Sequence, residues 1–97
     1  MAKFKIIWSE MAKLELKRIY LYYKSKSNQG AMSVRNDLLN SPKSIHFPHQ
    51  YQVDDINPKY RRIIVRDYKL LYKVMEDTIF VLDIVSTRQS PEILKRK

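Results

Sequence analysis

Residues 59–74, KYRRIIVRDYKLLYKV, decide the fold of this chain because they interleave cationic side chains with apolar ones over two short runs. Both runs are rich in β-branched and aromatic residues, a composition that favours strands. The polar pair Arg66-Asp67 between them, and the pair Glu76-Asp77 after them, suit tight hairpin turns. Residues 60–66, 68–75 and 78–87 are therefore predicted to form a three-stranded antiparallel meander.

The last of these predicted strands is apolar on both of its faces. Residues 79–82, IFVL, and the pair Ile84-Val85 offer no polar side to water. A strand with one solvated face alternates polar and apolar residues, whereas a strand buried on both faces does not. The pattern therefore predicts a central strand that is covered on both sides.

The N-terminal part of the chain predicts one strand and then a helix. Phe4, Ile6 and Trp8 recur at every second position, as in a strand, and Ser9 is a typical helix N-cap. Spacings of four, three and four residues then place one set of side chains on a single helical stripe, formed by Ala12, Leu16, Ile19 and Tyr23.

A second helix is predicted to start near Asn28 and to turn Ala31, Val34 and Leu38 inward. It stops before Pro42, because proline disfavours helical geometry in the residue that precedes it. Residues 42–58 show no period and are predicted to be a long loop, of a kind that is often functional or mobile. The order β-α-α-β-β-β indicates one α+β domain over residues 1–97, with both helices packed on one face of the sheet.

The composition restricts the class of partner. Nineteen Lys and Arg against ten Asp and Glu give a formal net charge of +9, so the candidate partners are RNA, DNA, an anionic membrane surface or an acidic protein. The absence of cysteine excludes disulfides and a cysteine nucleophile and fits a reducing compartment. No apolar stretch has the length of a signal sequence or a membrane span, so we expect a cytoplasmic protein without a membrane partner.

The residues predict no metal and no cofactor. His46 and His49 lie near Asp54 and Asp55, but no helix orients the two rings and no third ligand stands at a fixed spacing. Ordinary loop histidines are the better interpretation. The chain also has no Gly-rich phosphate loop, no Ser-His-Asp order and no paired-carboxylate motif.

The strand cations form the candidate site. If Ile63 and Val65 face the helices, the alternation of a strand places the cations of the meander on the opposite side of the sheet. Such a cluster would bind phosphates and stabilise charge that develops at a phosphoryl centre, although a merely solvated face fits the composition equally well. The predicted set consists of Arg62, Arg66, Lys69 and Lys73, with Arg88 at the rim.

In their order along the chain, these segments resemble the RelE/ParE superfamily of toxins from type II toxin–antitoxin systems. The resemblance rests on the meander of residues 60–74, on the apolar strand of residues 79–85 and on the following TRQSP at residues 87–91. The IWS of residues 7–9, the helical stripe and the Ser41-Pro42 stop fit the same family. The similarity covers nearly the whole chain.

The resemblance implies a toxin, of the kind also described as a plasmid stabilisation protein, that an acidic antitoxin protein holds inactive. RelE-like members are ribosome-dependent endoribonucleases that cut mRNA without a metal. ParE-like members instead poison DNA gyrase and lack that catalytic set. The expected target is therefore either DNA gyrase or the ribosome with its mRNA.

Matching the chain to RelE-like enzymes gives Arg62, Lys69 and Arg88 as the candidate catalytic residues. Ile64 and Leu94 stand where those enzymes carry a lysine and a C-terminal tyrosine. Loss of a general base or acid costs orders of magnitude in rate, so these departures favour a ParE-like toxin that inhibits growth by blocking a target. A RelE-like ribonuclease is the alternative, and a non-toxic basic module that binds nucleic acid is a second alternative.

Overall fold

The structure, a computed structural model, describes residues 4–88 and follows the predicted order of elements. Strand β1 (Lys5–Trp8) leads into helix α1 (Glu10–Lys24) and helix α2 (Asn28–Asn40). A short 3-10 helix (Ser41–Ser44) ends the helical hairpin. After the loop come the strands β2 (Arg61–Val65), β3 (Tyr68–Met75) and β4 (Thr78–Ser86).

Serine side chains start both long helices. The Ser9 hydroxyl accepts a hydrogen bond from the Ala12 amide at 3.0 Å, as predicted for the N-cap of α1. The Ser27 hydroxyl accepts one from the Gly30 amide at 3.1 Å and caps α2. Each hydroxyl satisfies one of the amides that the first turn of a helix leaves without an intrahelical partner.

The sheet has the strand order β1-β4-β3-β2, so the predicted antiparallel meander is confirmed. Both hairpin turns place their first residue at a positive φ, 56° at Arg66 and 57° at Glu76. Strand β1 pairs with β4 in parallel, which gives β4 a neighbour on either side. The prediction of a central last strand is therefore confirmed.

A bulge in β4 is fixed by the same serine that starts α1. The register passes from Leu71 opposite Asp83 to Tyr72 opposite Val81, so Leu82 is the extra residue. The Ser9 hydroxyl donates to the Leu82 carbonyl at 2.7 Å. Since a bulge leaves one residue out of the ladder, this contact supplies a partner for the carbonyl and ties α1 to the centre of the sheet.

Both helices pack on one face of the sheet, as predicted. Their core stripes meet the β-strands in one cluster of buried side chains, which includes Ala12, Ile19, Val34 and Leu38 from the helices and Ile63, Leu70, Tyr72, Ile79, Val81 and Ile84 from the sheet. Burying these side chains is the main stabilising contribution to the fold.

The opposite face of the sheet is covered in part by the loop before β2. Leu71 and Val85 are buried there against Ile56 and Tyr60. Residues 52–54 also run along β2, where Val53 forms an antiparallel bridge with Arg61 and the Arg62 amide donates to the Gln52 carbonyl at 3.1 Å. The predicted loop is thus an ordered cover for a face and an edge of the sheet.

Within residues 4–88, none of the helices is long and apolar enough to cross a membrane.

Candidate functional site

The predicted site residue Lys69 is buried in an ion pair. Its side chain is on the face of the sheet opposite the helices, as the strand alternation predicts, but it is only 5% exposed. Its ammonium donates to Asp54 Oδ1 at 2.7 Å, and Asp54 is fully buried. A lysine held in this way is not a solvent-facing cation.

Three groups besides Lys69 surround the Asp54 carboxylate. Its Oδ2 accepts hydrogen bonds from the amides of Asn57 at 2.7 Å and Ile56 at 3.2 Å, and Arg62 approaches Oδ1 to 3.8 Å. Burial by itself raises the pKa of Asp54, but the hydrogen bonds from Lys69 and the two amides outweigh it and hold the pKa below its ordinary value. Asp54, Arg62 and Lys69 are called the Asp54 cluster below.

Arg62 is fixed by the loop as well as by carboxylates. Its guanidinium donates to the Val53 carbonyl at 3.0 Å and lies 3.8 Å from Asp55. The side chain is 23% exposed. Arg62 and Lys69 therefore converge as predicted, but they converge on an internal anion.

The other predicted cations have separate positions. Arg66 turns away from the set and pairs with helix α2, donating to Asp37 at 2.8 Å and to the Ser33 hydroxyl at 2.9 Å. Arg88 is paired with Asp67 at 2.8 Å. Lys73 is exposed, and no ion pair of it exists within residues 4–88. The structure thus divides the predicted set and does not present it as one open cationic surface.

Sequence reasoning missed two further cations, Lys59 and Arg61, which lie beside a cleft of about 290 Å³. Lys59, Arg61 and Lys73 line it together with His49, Tyr60 and Tyr72. Lys59, Arg61 and Tyr72 are called the Arg61 cleft below; the side chain of Lys73 lies on the opposite face of the sheet, with Lys69 and Leu71. The pair Arg61-Arg62 could have predicted a cation on the second face, because adjacent residues of a strand point to opposite faces of the sheet.

The remaining predictions concern histidines and tyrosines. No group of three or more His, Asp or Glu that could hold a metal exists within residues 4–88, and His49 accepts a hydrogen bond from Arg61 through Nδ1. Tyr23 is half-buried against the core, as predicted, and contacts the ring of Tyr22 edge to face at 5.2 Å. Burial and a hydrogen bond with Tyr23 raise the pKa of Tyr68 well above its ordinary value.

A protein-family model described as "ParE toxin of type II toxin-antitoxin system, parDE" matches residues 6–91. The chain belongs to the ParE toxin family. Its fold is similar to that of a chain in a solved structure of the "Chromosomal ParDE TA system from P. aeruginosa", with a TM-score of 0.69, 18% sequence identity, and coverage of 86% of this chain and 95% of that one. A search of curated protein sequences found no match.

Membership of the ParE family confirms the resemblance that the sequence indicated. In this ParE-family chain, the candidate ribonuclease residues Arg62, Lys69 and Arg88 each lie beside an internal carboxylate, and Ile64 is exposed. Leu94 lies outside the described residues. The roles assigned to the candidate residues stay predictions.

Proposed function

We propose that this ParE-family chain is a toxin that arrests growth by binding and blocking a large cellular target, with DNA gyrase as the first candidate. Family membership supports toxicity, and one observation supports blocking over RNA cleavage. The three cations that would carry cleavage are each paired with a carboxylate of the chain itself, Asp54 or Asp67. A paired cation stabilises developing phosphoryl charge less than a free one, because the carboxylate already compensates it.

Supercoiling by purified gyrase tests the proposal directly. We expect the purified chain to inhibit supercoiling in a dose-dependent manner, and we expect Arg88→Ala to inhibit nearly as well, because blocking needs no catalytic cation and Arg88 is already paired with Asp67. Full supercoiling at a large molar excess of toxin would remove gyrase as the target. Cuts in translated mRNA that disappear in Arg88→Ala would remove the blocking mechanism itself.

We also propose an acidic antitoxin as the partner that neutralises this toxin. A net charge of +9 favours an acidic protein. Helix α1 presents Met11, Leu14 and Leu21 to solvent, each about half exposed (49, 47 and 51%), beside the exposed Lys17. An amphipathic acidic segment would cover these apolar side chains and pair with the cation.

We expect the acidic antitoxin to be encoded beside the toxin, and expression of the toxin with and without that neighbouring reading frame tests this partner. We expect growth to stop without the neighbour and to resume with it. Replacing Leu14 and Leu21 by serine would weaken the complex, while serine at the exposed Ile64 on the opposite face of the sheet serves as the control. Rescue that is unchanged in the Leu14/Leu21 variant would contradict the assignment of α1 to the interface.

A further inference from the structure

The Arg61 cleft lies where β3 extends beyond the start of β2. Arg61 is the first residue of β2 and is opposite Tyr72, so Lys73 and Val74 continue past the end of the pairing. The chain approaches this place through Lys59 and Tyr60, and Pro48, His49 and Pro58 form the surrounding wall. The result is a recess of about 290 Å³ at the end of a hairpin.

The cations of this cleft have no carboxylate partner within residues 4–88. Every ion pair of the described chain joins other residues, and no Asp or Glu lines the recess. Arg61 is nevertheless held in place, because it donates to the Tyr51 carbonyl at 2.7 Å and to His49 Nδ1. Both partners are neutral acceptors, so they orient the guanidinium without compensating its charge.

Tyr72 shares the helix side of the sheet with Arg61 and contributes an uncharged wall to the cleft. The residue is fully buried, and its hydroxyl makes no well-aligned hydrogen bond within residues 4–88, although the backbone of Tyr51 approaches it. Burial raises the pKa of Tyr72 to about 12, although the nearby Arg61 charge lowers it. The phenol therefore stays protonated at neutral pH and adds no negative charge to the cleft.

We propose that the Arg61 cleft binds a phosphate group, carried by a nucleotide or by the backbone of a nucleic-acid strand. Two cations without a carboxylate partner within residues 4–88, Arg61 and Lys59, suit a phosphate monoester, which carries a charge of about −1.5 to −2, better than a single carboxylate. Arg61 supplies a fixed positive charge and those N–H groups of its guanidinium that Tyr51 and His49 do not use, and Lys59 supplies a mobile point charge. The recess is at the small end of ligand pockets, roughly 300–1,000 Å³, so it admits a group no larger than about one nucleotide.

This site is distinct from the face of α1 proposed for the antitoxin and does not depend on gyrase being the target. A phosphate test on the purified chain needs no target protein. If the chain binds phosphate but does not inhibit gyrase, only the proposed function is contradicted. If it inhibits gyrase but does not bind phosphate, only the phosphate site in the Arg61 cleft is contradicted.

Amide chemical shifts measured during titration of the full chain provide the test. The probes are a nucleoside 5′-monophosphate, the matching nucleoside without phosphate, and a short single-stranded oligodeoxynucleotide. We expect the monophosphate to shift the amides of Tyr60, Arg61 and Lys73 in a saturable manner, while the nucleoside shifts none of them. Stronger binding of the oligodeoxynucleotide at the same amides identifies a backbone phosphate as the source, and equal or weaker binding identifies a free phosphoester.

Matched substitutions separate the cleft from the general charge of the protein. Arg61→Gln should weaken monophosphate binding by about tenfold, as expected for the loss of a hydrogen bond to a charged group. Arg35→Gln removes the same charge from the exposed face of α2 and should change binding by less than about twofold, because screening limits distant charges in salt. Thermal unfolding of Arg61→Gln establishes that the variant is folded, and Lys59→Gln provides a second variant at an exposed side chain of the cleft.

Three outcomes would overturn the proposal. The first is a set of small shifts spread over all basic surfaces without saturation. The second is an equal loss of binding in Arg35→Gln and Arg61→Gln. The third is displacement of the monophosphate by a glutamate-rich peptide at lower concentration than by inorganic phosphate, which would identify the cleft as a site for an acidic protein segment.

Discussion

Arg61 and Arg62 are neighbours in one strand, yet they belong to two opposite electrostatic arrangements. Arg62 lies with Lys69 over the buried carboxylate of Asp54, and Arg61 lies in a cleft where its partners are neutral. The alternation of the strand sends the two guanidinium groups to different faces. Whether a cation is free is therefore decided by where the loop before the strand places its carboxylates, and not by the cationic pattern of the strand.

The two regions also differ in what they contribute. The Asp54 cluster joins the loop to β2 and β3, so its charges stabilise the cover over the second face of the sheet. The Arg61 cleft keeps its charges uncompensated and near solvent, at some cost in repulsion. Substitution of a residue in the Asp54 cluster should therefore change the stability of the fold, and substitution of a cation in the Arg61 cleft should change ligand binding.

The largest expected effect is on the Asp54 cluster. Asp54→Ala leaves Lys69 as an unpaired charge in a buried site, and we expect the free energy of unfolding to fall by about 3–5 kcal/mol. Chemical denaturation measures the loss. Since Lys69→Met removes the other partner, the double variant should lose clearly less than the sum of the two single losses. Additive losses would show that the two side chains do not form a pair.

Acidification tests the same cluster. The pKa of Asp54 is lowered from its ordinary 3.8 in the folded chain, so its contribution to stability is complete above that value and is lost as the pH falls through the lower, folded-state pKa. Lys69→Met removes the side chain that lowers this pKa most, so the fall in the free energy of unfolding between neutral and acidic pH should be smaller than in the unchanged chain. Asp37→Asn, at an exposed pair, is the control. The same fall in the free energy of unfolding with pH in Lys69→Met and in the unchanged chain would contradict the coupling.

The Arg61 cleft predicts an effect of opposite sign. Tyr72→Phe removes a buried hydroxyl that makes no well-aligned hydrogen bond within residues 4–88 and should raise the free energy of unfolding by about 1 kcal/mol. Tyr51→Phe is the matched control, because the Tyr51 hydroxyl lies 2.7 Å from the Ser44 hydroxyl and its loss should destabilise the chain by a similar amount. Equal destabilisation in both variants would show that the Tyr72 hydroxyl has a stabilising contact.

The smallest effect is expected at the exposed pairs. Arg66→Gln breaks a contact with Asp37 in which both side chains are about half exposed, and surface pairs contribute roughly 0–1 kcal/mol. The loss should shrink further as the salt concentration rises. Chemical denaturation of Arg66→Gln and of the unchanged chain at low and high salt measures this loss. A salt-independent loss of several kcal/mol would place Arg66 with the buried cluster and remove the contrast between the regions.

The sequence predicted those features of the fold that depend on local pattern. Ser9 as an N-cap, the helical stripe of α1, the turns at Arg66-Asp67 and Glu76-Asp77, and a central β4 are all confirmed. Each of these features follows from a hydrophobic period or from the composition of a cap or turn, and both are visible within a few consecutive residues. The placement of Lys69 and Arg62 on one face of the sheet follows from the same alternation.

What the sequence did not predict depends on contacts between distant segments. Asp54 lies in a stretch without periodicity, and only the folded loop brings it 2.7 Å from Lys69. The pairing of β1 with β4 and the cleft behind Arg61 have the same cause, since residues far apart in the chain form each of them. A strand rich in Lys and Arg therefore indicates candidate site residues, and the loops that approach the strand determine which of these cations lack a carboxylate partner.

The parallel pairing of β1 with β4 has a consequence for the time at which the protein folds. Within residues 4–88, the sheet partners of residues 5–8 are residues 77–81, so the first strand has no partner in the described sheet until the last one has been synthesised. At roughly 5–20 residues per second, a newborn chain passes several seconds with β1 unpaired. A chain interrupted before Thr78 lacks the central strand altogether. Premature termination should therefore yield fragments that are degraded, not shortened toxins.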